Sequence, residues 1–114
     1  MPTMTPLTND TFSTFVLAHR FVVIHFWAAW NGTDRVMHRL LDSEIPSLLR
    51  DSVMIARLDV DQLAHQELCR QHGVLVTPFL AFYRDGRLIR SVRSMKSHEV
   101  ITEHFRELVY GTVA

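Results

Sequence analysis

The chain has few of the features that would assign it to a specialised class of protein. Among its 114 residues only Cys69 is a cysteine, which excludes an internal disulfide and a two-cysteine redox centre within this sequence. Its 12 basic and 12 acidic side chains cancel, so no net charge attracts it to nucleic acid or to an anionic membrane. It lacks an apolar run near the roughly 20 residues of a spanning helix, and its start lacks the pattern of a signal peptide. We therefore expect a cytoplasmic protein that binds neither nucleic acid nor membrane.

The residues that are present indicate one domain of the α/β class. Apolar residues make up 47% of the chain, which is enough for a single core without disulfide or metal cross-links. No repeat, linker or low-complexity segment divides the sequence. Residues 1–114 are therefore predicted to form a single domain.

Two apolar segments predict parallel strands. Residues 21–28, FVVIHFWA, form the continuous β-branched and aromatic run of a central strand that is buried on both faces. Residues 52–60, SVMIARLDV, predict a second strand, and the helical pattern of residues 34–50 between them is too long for a hairpin. A crossover connection should therefore make the two strands parallel, with Pro46 kinking or restarting the connecting helix. A further short strand is expected near Met4.

The remaining segments predict three more helices and an antiparallel hairpin. Helices are expected over residues 10–18 and 61–73, the second one ending at Gly73. An Asp-Gly turn joins the apolar strings TPFLAFY and RLIRSV, which should pair as a hairpin. Ser97 is expected to cap the last helix. The buried side of that helix is predicted to carry Val100, Ile101, Phe105, Leu108 and Val109.

Five strings in this order resemble the thioredoxin family. They are WAAW at residues 27–30, ARLDVDQ at 56–62, ELCRQHGV at 67–74, TPF at 77–79 and YRDGRLI at 83–89. The resemblance covers most of the chain and implies a single thioredoxin-like domain. That domain would have a central mixed sheet of four or five strands flanked by four helices, with a cis proline at Pro78.

The same resemblance points to a reaction that this sequence cannot perform. In thioredoxins a Cys-Gly-Pro-Cys segment follows the second tryptophan, where the N-terminus of a helix lowers the pKa of the first thiol. The matching residues here are Asn31, Gly32, Thr33 and Asp34, and the family's buried aspartate falls at His25. Neither an amide nor a carboxylate can exchange a disulfide. We therefore expect no catalytic residue here, no cofactor and a thioredoxin-like protein without redox activity.

His25 and Asp34 replace groups that approach each other in the family. A buried imidazole and carboxylate pair is therefore expected, and such a pair would favour the charged imidazolium. The pair would be a structural contact that fills the space left by the thiols, or a pH-responsive contact below the binding surface. Asp34 could instead cap the second helix. With Thr33 as nucleophile the three residues would make a set for acyl transfer, although the sequence identifies no oxyanion hole.

Cys69 and two nearby histidines form another group with potential chemistry. The family places a small core residue at the position of Cys69, so we expect a buried and inert thiol. His65, Cys69 and His72 would share one face of a helix, as the ligands of a metal would. A core-facing Cys69 would take that face away from solvent, and a fourth ligand is not identifiable. We therefore predict no metal site.

An apolar surface around the former dithiol is the predicted binding site. In the family, the backbone beside the cis proline pairs with an extended segment of the substrate. Trp30 is the strongest single candidate, because exposed aromatic side chains carry much of the binding energy at interfaces. The predicted surface comprises Trp27, Trp30, Gly32, Val76, Thr77, Pro78 and Phe79.

These residues favour an adaptor or chaperone-like module that binds a protein or an extended peptide. One alternative is a residual thiol oxidoreductase in which Cys69 reacts alone or with a thiol of a partner. A second alternative is a homodimer that buries Trp30 between two copies. Five basic residues on and after the hairpin protect an edge strand from unwanted pairing or receive an acidic partner. They are Arg84, Arg87, Arg90, Arg93 and Lys96.

Overall fold

The strands of the described part of the chain assemble into one mixed sheet. A computed structural model describes residues 4–111. The strands are β1 (Thr5–Pro6), β2 (Phe21–Trp27), β3 (Met54–Asp59), β4 (Phe79–Arg84) and β5 (Arg87–Arg93). Their order is β1-β3-β2-β4-β5, with β2 parallel to β3 and antiparallel to β4. The predicted central strand, crossover, hairpin and short first strand are confirmed.

Within residues 4–111 the sheet is accompanied by five α-helices, one more than predicted. They are α1 (Phe12–Ala18), α2 (Gly32–Ser43), α3 (Ser47–Ser52), α4 (Gln66–His72) and α5 (His98–Tyr110), with a 3₁₀ turn at Leu63–His65. The additional helix arises because Pro46, which has no N–H to continue α2, precedes a separate α3. None of these helices is long and apolar enough to cross a membrane.

Side-chain alternation along β2 sends its residues to two different clusters of the core. The even-numbered residues from Val22 to Phe26 pack with α1 and α4 in one cluster. Val23 belongs to the other cluster, which contains the buried residues of α2 and α5. His25 follows Val23 with the same period of two, so its side chain faces α2. A polar side chain is thereby placed inside an apolar core, beneath the beginning of α2.

The hairpin turn and the two predicted helix ends have the expected backbone. Asp85 and Gly86 have φ values of 51° and 79°, which are the left-handed values of a two-residue type I′ turn. Gly73 follows α4 at φ 68°, also left-handed. The Ser97 hydroxyl accepts a hydrogen bond from the backbone N–H of Val100, 3.3 Å away, and so caps α5.

The buried side of α5 is narrower than predicted. Ile101, Phe105 and Leu108 are fully buried, as expected. The prediction for Val100 is wrong, because 42% of its surface is exposed. Ile101, the next residue, is fully buried, so Val100 lies about 100° around the helix from the centre of the buried side.

Candidate functional site

Asn31 joins the beginning of α2 to the loop before β4. Its side-chain oxygen accepts hydrogen bonds from the backbone N–H and the hydroxyl of Thr33, at 3.0 and 2.9 Å. Its Nδ2 donates to the carbonyl oxygen and to the hydroxyl of Thr77, both at 2.9 Å. The Thr77–Pro78 peptide bond is cis, as predicted. Asn31 thus caps α2 and holds the first turn of that helix against the cis-proline loop, residues 75–78.

Asp34 and His25 form the buried pair that the sequence predicts. His25 Nε2 donates to Asp34 Oδ1 at 2.9 Å, and Asp34 Oδ2 accepts from the backbone N–H of Ala28 at 2.9 Å. Only 1% of each of the two side chains is exposed. The alternative in which Asp34 caps α2 is wrong, because Asn31 occupies the cap and the carboxylate of Asp34 turns inward to β2.

The predicted preference of this pair for the imidazolium is wrong. Burial lowers the pKa of His25 below its ordinary value, since an interior site cannot solvate the positive charge. The hydrogen bond and the negative charge of Asp34 oppose this effect without overcoming it, while His38 and Arg57 add to it. His25 is therefore a neutral imidazole near neutral pH, with its proton on Nε2 where Asp34 accepts it.

This shift makes the stability of the fold depend on pH in one direction. The unfolded chain binds a proton at His25 below about pH 6.5, whereas the folded chain binds it only at lower pH. The free energy of unfolding should therefore fall as pH decreases below about 6.5, by at most about 1.4 kcal/mol per pH unit. Urea denaturation at a series of pH values measures this slope.

A second histidine must be separated from His25 in that measurement. Burial also lowers the pKa of His104, whose effect has the same sign. A His104→Gln variant removes that contribution and should retain most of the slope. Constant or increasing stability below pH 6.5 in this variant would contradict a neutral His25.

The acyl-transfer alternative is not assembled in the structure. The hydroxyl of Thr33 donates to Asn31, and His25 Nδ1, the nitrogen that could accept a proton, has no hydrogen-bond partner among residues 4–111. A nucleophile and its base therefore do not meet here.

Cys69 is buried, and the two histidines near it make internal hydrogen bonds. Burial raises the pKa of the Cys69 thiol, and the charge of Asp59 raises it further, so the thiolate is disfavoured. His65 Nδ1 bonds with the carbonyl oxygen of Asp59 at 2.7 Å. His72 contacts the carbonyl oxygen of Leu68 through Nδ1 and the hydroxyl of Tyr83 through Nε2. Within residues 4–111 no group of three histidine, cysteine or acidic residues could hold a metal ion.

The surface beside the former dithiol is apolar, but two of its predicted members are buried. Trp30 is 73% exposed and Val76 is 50% exposed. Pro78 and Phe79 lie below the surface, because β4 begins at Phe79 and its first residues enter the core. Leu75, which was not among the predicted members, is 85% exposed. The sequence did carry a signal for the exposure of Leu75. Leu75 and Val76 lie in the short connection between Gly73, which ends a helix, and Thr77-Pro78.

A shallow groove adjoins Trp30 on this surface. It encloses about 190 Å³. It is lined by eight residues, namely Trp30, Val60, Gln66, Cys69, Val74, Leu75, Val76 and Thr77. Trp27 does not line it; that residue is half-buried, and the guanidinium of Arg57 lies 5.4 Å from the centre of its ring. The exposed part of the predicted surface is therefore smaller than expected, and together with Leu75 it is centred on Trp30, Val76 and Thr77.

Comparison with known proteins agrees with this fold. The family model described as Thioredoxin matches residues 3–107. The chain belongs to the thioredoxin family. A thioredoxin from Alicyclobacillus acidocaldarius subsp. acidocaldarius is 29% identical over 107 residues, covering 94% of this chain and 98% of that protein. A thioredoxin from Mycolicibacterium smegmatis is 31% identical over 91 residues, covering 79% and 80%.

Solved structures show the same thioredoxin fold. A mutant thioredoxin from Halobacterium salinarum NRC-1 superposes with a TM-score of 0.80 at 18% identity, covering 98% of this chain and 94% of that one. Mitochondrial thioredoxin 3 from Saccharomyces cerevisiae gives a TM-score of 0.78 at 24% identity. This member of the thioredoxin family thus keeps the fold with a single cysteine, and that cysteine lies outside the loop between β2 and α2.

Proposed function

We propose that this chain is a redox-inactive member of the thioredoxin family that binds a protein segment through the surface around Trp30. One observation carries the proposal. The positions of the family's two cysteines hold Asn31 and Asp34, and both side chains are fixed by internal hydrogen bonds while Trp30 beside them remains exposed. The site is thus built to hold its shape without a thiol.

The exposed apolar side chains support a protein as the ligand. Trp30, Leu75 and Val76 leave large apolar areas in water beside a groove, and burying such areas favours association. Tryptophan is also enriched among the residues that dominate binding energy at interfaces. An extended segment fits best, because the groove is shallow and is lined by Leu75, Val76 and Thr77, the three residues before the cis proline.

Asn31 restricts how such a segment can pair with that loop. The carbonyl oxygen of Thr77 already accepts from Asn31 Nδ2. A strand-like partner must therefore use the second lone pair of this oxygen or displace the amide of Asn31. We expect side-chain contacts with Trp30 and the groove to supply more of the affinity than backbone pairing does.

The basic hairpin is a weaker candidate for the binding surface. β5 is an edge strand, as predicted. Arg90 Nη2 lies 3.1 Å from Glu107 Oε2, and Arg84 donates to the backbone carbonyl oxygens of Glu107 and Leu108 at the end of α5. Two of the five basic side chains thus stabilise the fold itself, and protection of the edge accounts for the others.

A cytoplasmic location completes the proposal. A single buried thiol without a disulfide suits a reducing compartment. No interaction described above requires a metal or an organic cofactor.

The Trp30→Ala variant tests the proposed surface. Immobilised protein should retain a partner from extract of the source cells, and the variant should lose about 30-fold or more in affinity, the effect of removing an interface tryptophan. Tyr110→Ala is the matched control, because Tyr110 is also an aromatic residue with 70% of its surface exposed, at the far end of α5. Equal binding by wild type and both variants would move the site to the basic hairpin.

The same variants examine the homodimer alternative. Light scattering over a range of protein concentrations should show a monomer for all three chains. A wild-type dimer that Trp30→Ala converts to a monomer would replace the adaptor proposal with self-association through the same surface.

A further inference from the structure

A second cavity lies next to the pair formed by His25 and Asp34, and both residues line it. It encloses about 360 Å³, within the range of pockets that hold small molecules. It is bounded by the end of β2, the beginning of α2 and the neighbouring strand β3. Its side-chain lining is His25, Trp27, Asp34, Arg35, His38 and Arg57. Neither Trp30 nor the groove residues belong to it, so it is separate from the proposed protein-binding surface.

The lining of this cavity carries an excess of positive charge. Arg35 and Arg57 are cationic, and Asp34 is the one acidic residue of the lining. The charge of Asp34 is already engaged by His25 and by the N–H of Ala28. An anion that entered would therefore meet two guanidinium groups and no unengaged carboxylate of the lining.

Two buried polar atoms of the lining residues lack a partner among residues 4–111. They are His25 Nδ1 and Arg57 Nε. Most buried polar groups in folded proteins have a hydrogen-bond partner. Two unpaired polar atoms on residues of one cavity therefore call for an explanation, and a bound ligand would supply one. Arg57 Nε–H can only donate, and His25 Nδ1 can accept, or donate if it gains a proton.

We propose that this cavity binds a small organic carboxylate. One carboxylate oxygen would accept from the guanidinium of Arg57, and the other would share a proton with His25 Nδ1. The ring of Trp27, already held below Arg57, offers a flat apolar wall for the body of the ligand. The carboxylate can belong to a free small acid or to an acidic side chain of a bound protein, and the experiment below separates these sources.

Binding of a carboxylate at this site should take up a proton, which makes its affinity depend on pH. A carboxylate and a neutral His25 contain no proton between the two atoms that would meet, so binding takes up one proton from solution. Asp34 then faces one side of the ring and the ligand the other, which offsets the repulsion from Arg35, Arg57 and His38. Affinity should accordingly weaken as pH rises through neutrality, by up to about tenfold per pH unit.

Benzoate and benzamide are the probes that test the proposal. They have the same shape, but benzamide carries no negative charge and brings its own protons. Titration of each into the full chain, followed by two-dimensional amide NMR, should show benzoate shifting the backbone signals of Ala28 and Ala29 and binding more tightly at lower pH. Equal affinity for benzamide, independence of pH, or no shift with benzoate would each overturn the proposal.

Variants of two arginines provide the matched comparison. Arg57→Gln should weaken benzoate binding about tenfold or more, whereas Arg57→Lys, which keeps the charge, should restore part of the affinity. Arg39→Gln removes an exposed arginine of α2 that does not line the cavity and should change affinity less than about twofold. Equal weakening by Arg57→Gln and Arg39→Gln would indicate unspecific attraction by net charge and would overturn the site.

A third probe distinguishes a free small acid from an acidic side chain of a protein partner. N-acetyl-glutamic acid amide presents a side-chain carboxylate on a peptide-like body. Binding comparable to that of benzoate would assign the cavity to an acidic side chain of a protein partner, and binding of benzoate alone would assign it to a free small acid. Both outcomes support a carboxylate site, and a failure of benzoate to bind overturns it whatever the third probe does.

Discussion

Replacing Asp34 with alanine should lower the free energy of unfolding by roughly 2–5 kcal/mol, because two buried donors lose their acceptor at a cost of about 1–3 kcal/mol each. The variant leaves the N–H of His25 Nε2 and the N–H of Ala28 without their acceptors, and both are buried. Unpaired buried donors are costly because they have lost water without gaining a partner. Urea denaturation at neutral pH gives the value.

Asp42→Ala is the control for this result. Asp42 lies on the same helix, and its carboxylate is 3.2 Å from Arg50 Nη2, with about a quarter of its side chain exposed, 24%. Because water screens a partly exposed pair, its loss should cost about 1 kcal/mol or less. Equal effects of the two substitutions would show that the pair of His25 and Asp34 is not the main polar anchor below α2.

The second prediction is that the chain does not catalyse the reduction of disulfides. In the reduction of insulin by dithiothreitol, the chain should leave the rate within about twofold of the rate without protein, because disulfide exchange requires an accessible thiolate. The one thiol of the sequence is buried, and its pKa is raised. A thioredoxin with an intact Cys-Gly-Pro-Cys segment serves as the positive control.

Cys69→Ser decides between the proposed function and the oxidoreductase alternative. Any catalysis by the wild-type chain that disappears in this variant would assign a reaction to Cys69 and contradict redox inactivity. Thiol titration with and without denaturant adds an independent test, since a buried Cys69 should react fast only after unfolding. Rapid labelling of the native chain would favour the alternative.

Local patterns in the sequence were sufficient for two of the strand pairings, the parallel crossover and the antiparallel hairpin. The apolar run of β2 required cover on both faces, and the length of the following helical pattern required a parallel crossover. The Asp-Gly turn required a hairpin. These features depend on residues that are close in sequence, and for that reason their predictions were correct.

The candidate site could be predicted in part. The approach of His25 to Asp34 was expected from the family resemblance, and the structure places them 2.9 Å apart. Their state of charge was not correctly predicted, because it depends on how completely the surrounding core excludes water. The exposure of Phe79 and Val100 was also mistaken, since burial depends on which distant element covers a residue.

The sequence by itself determined that this member of the thioredoxin family has no dithiol, because the identity of a residue fixes the chemistry that it can supply. It also determined the parallel crossover from β2 to β3 and the hairpin of β4 and β5, through short-range pattern and connection length. Only the tertiary structure decided that Asn31 holds Thr77, 46 positions along the chain, and that Arg57 and His25 border one cavity. Such contacts join residues far apart in sequence, and their partners are set by the packing of the whole domain, which no local pattern records.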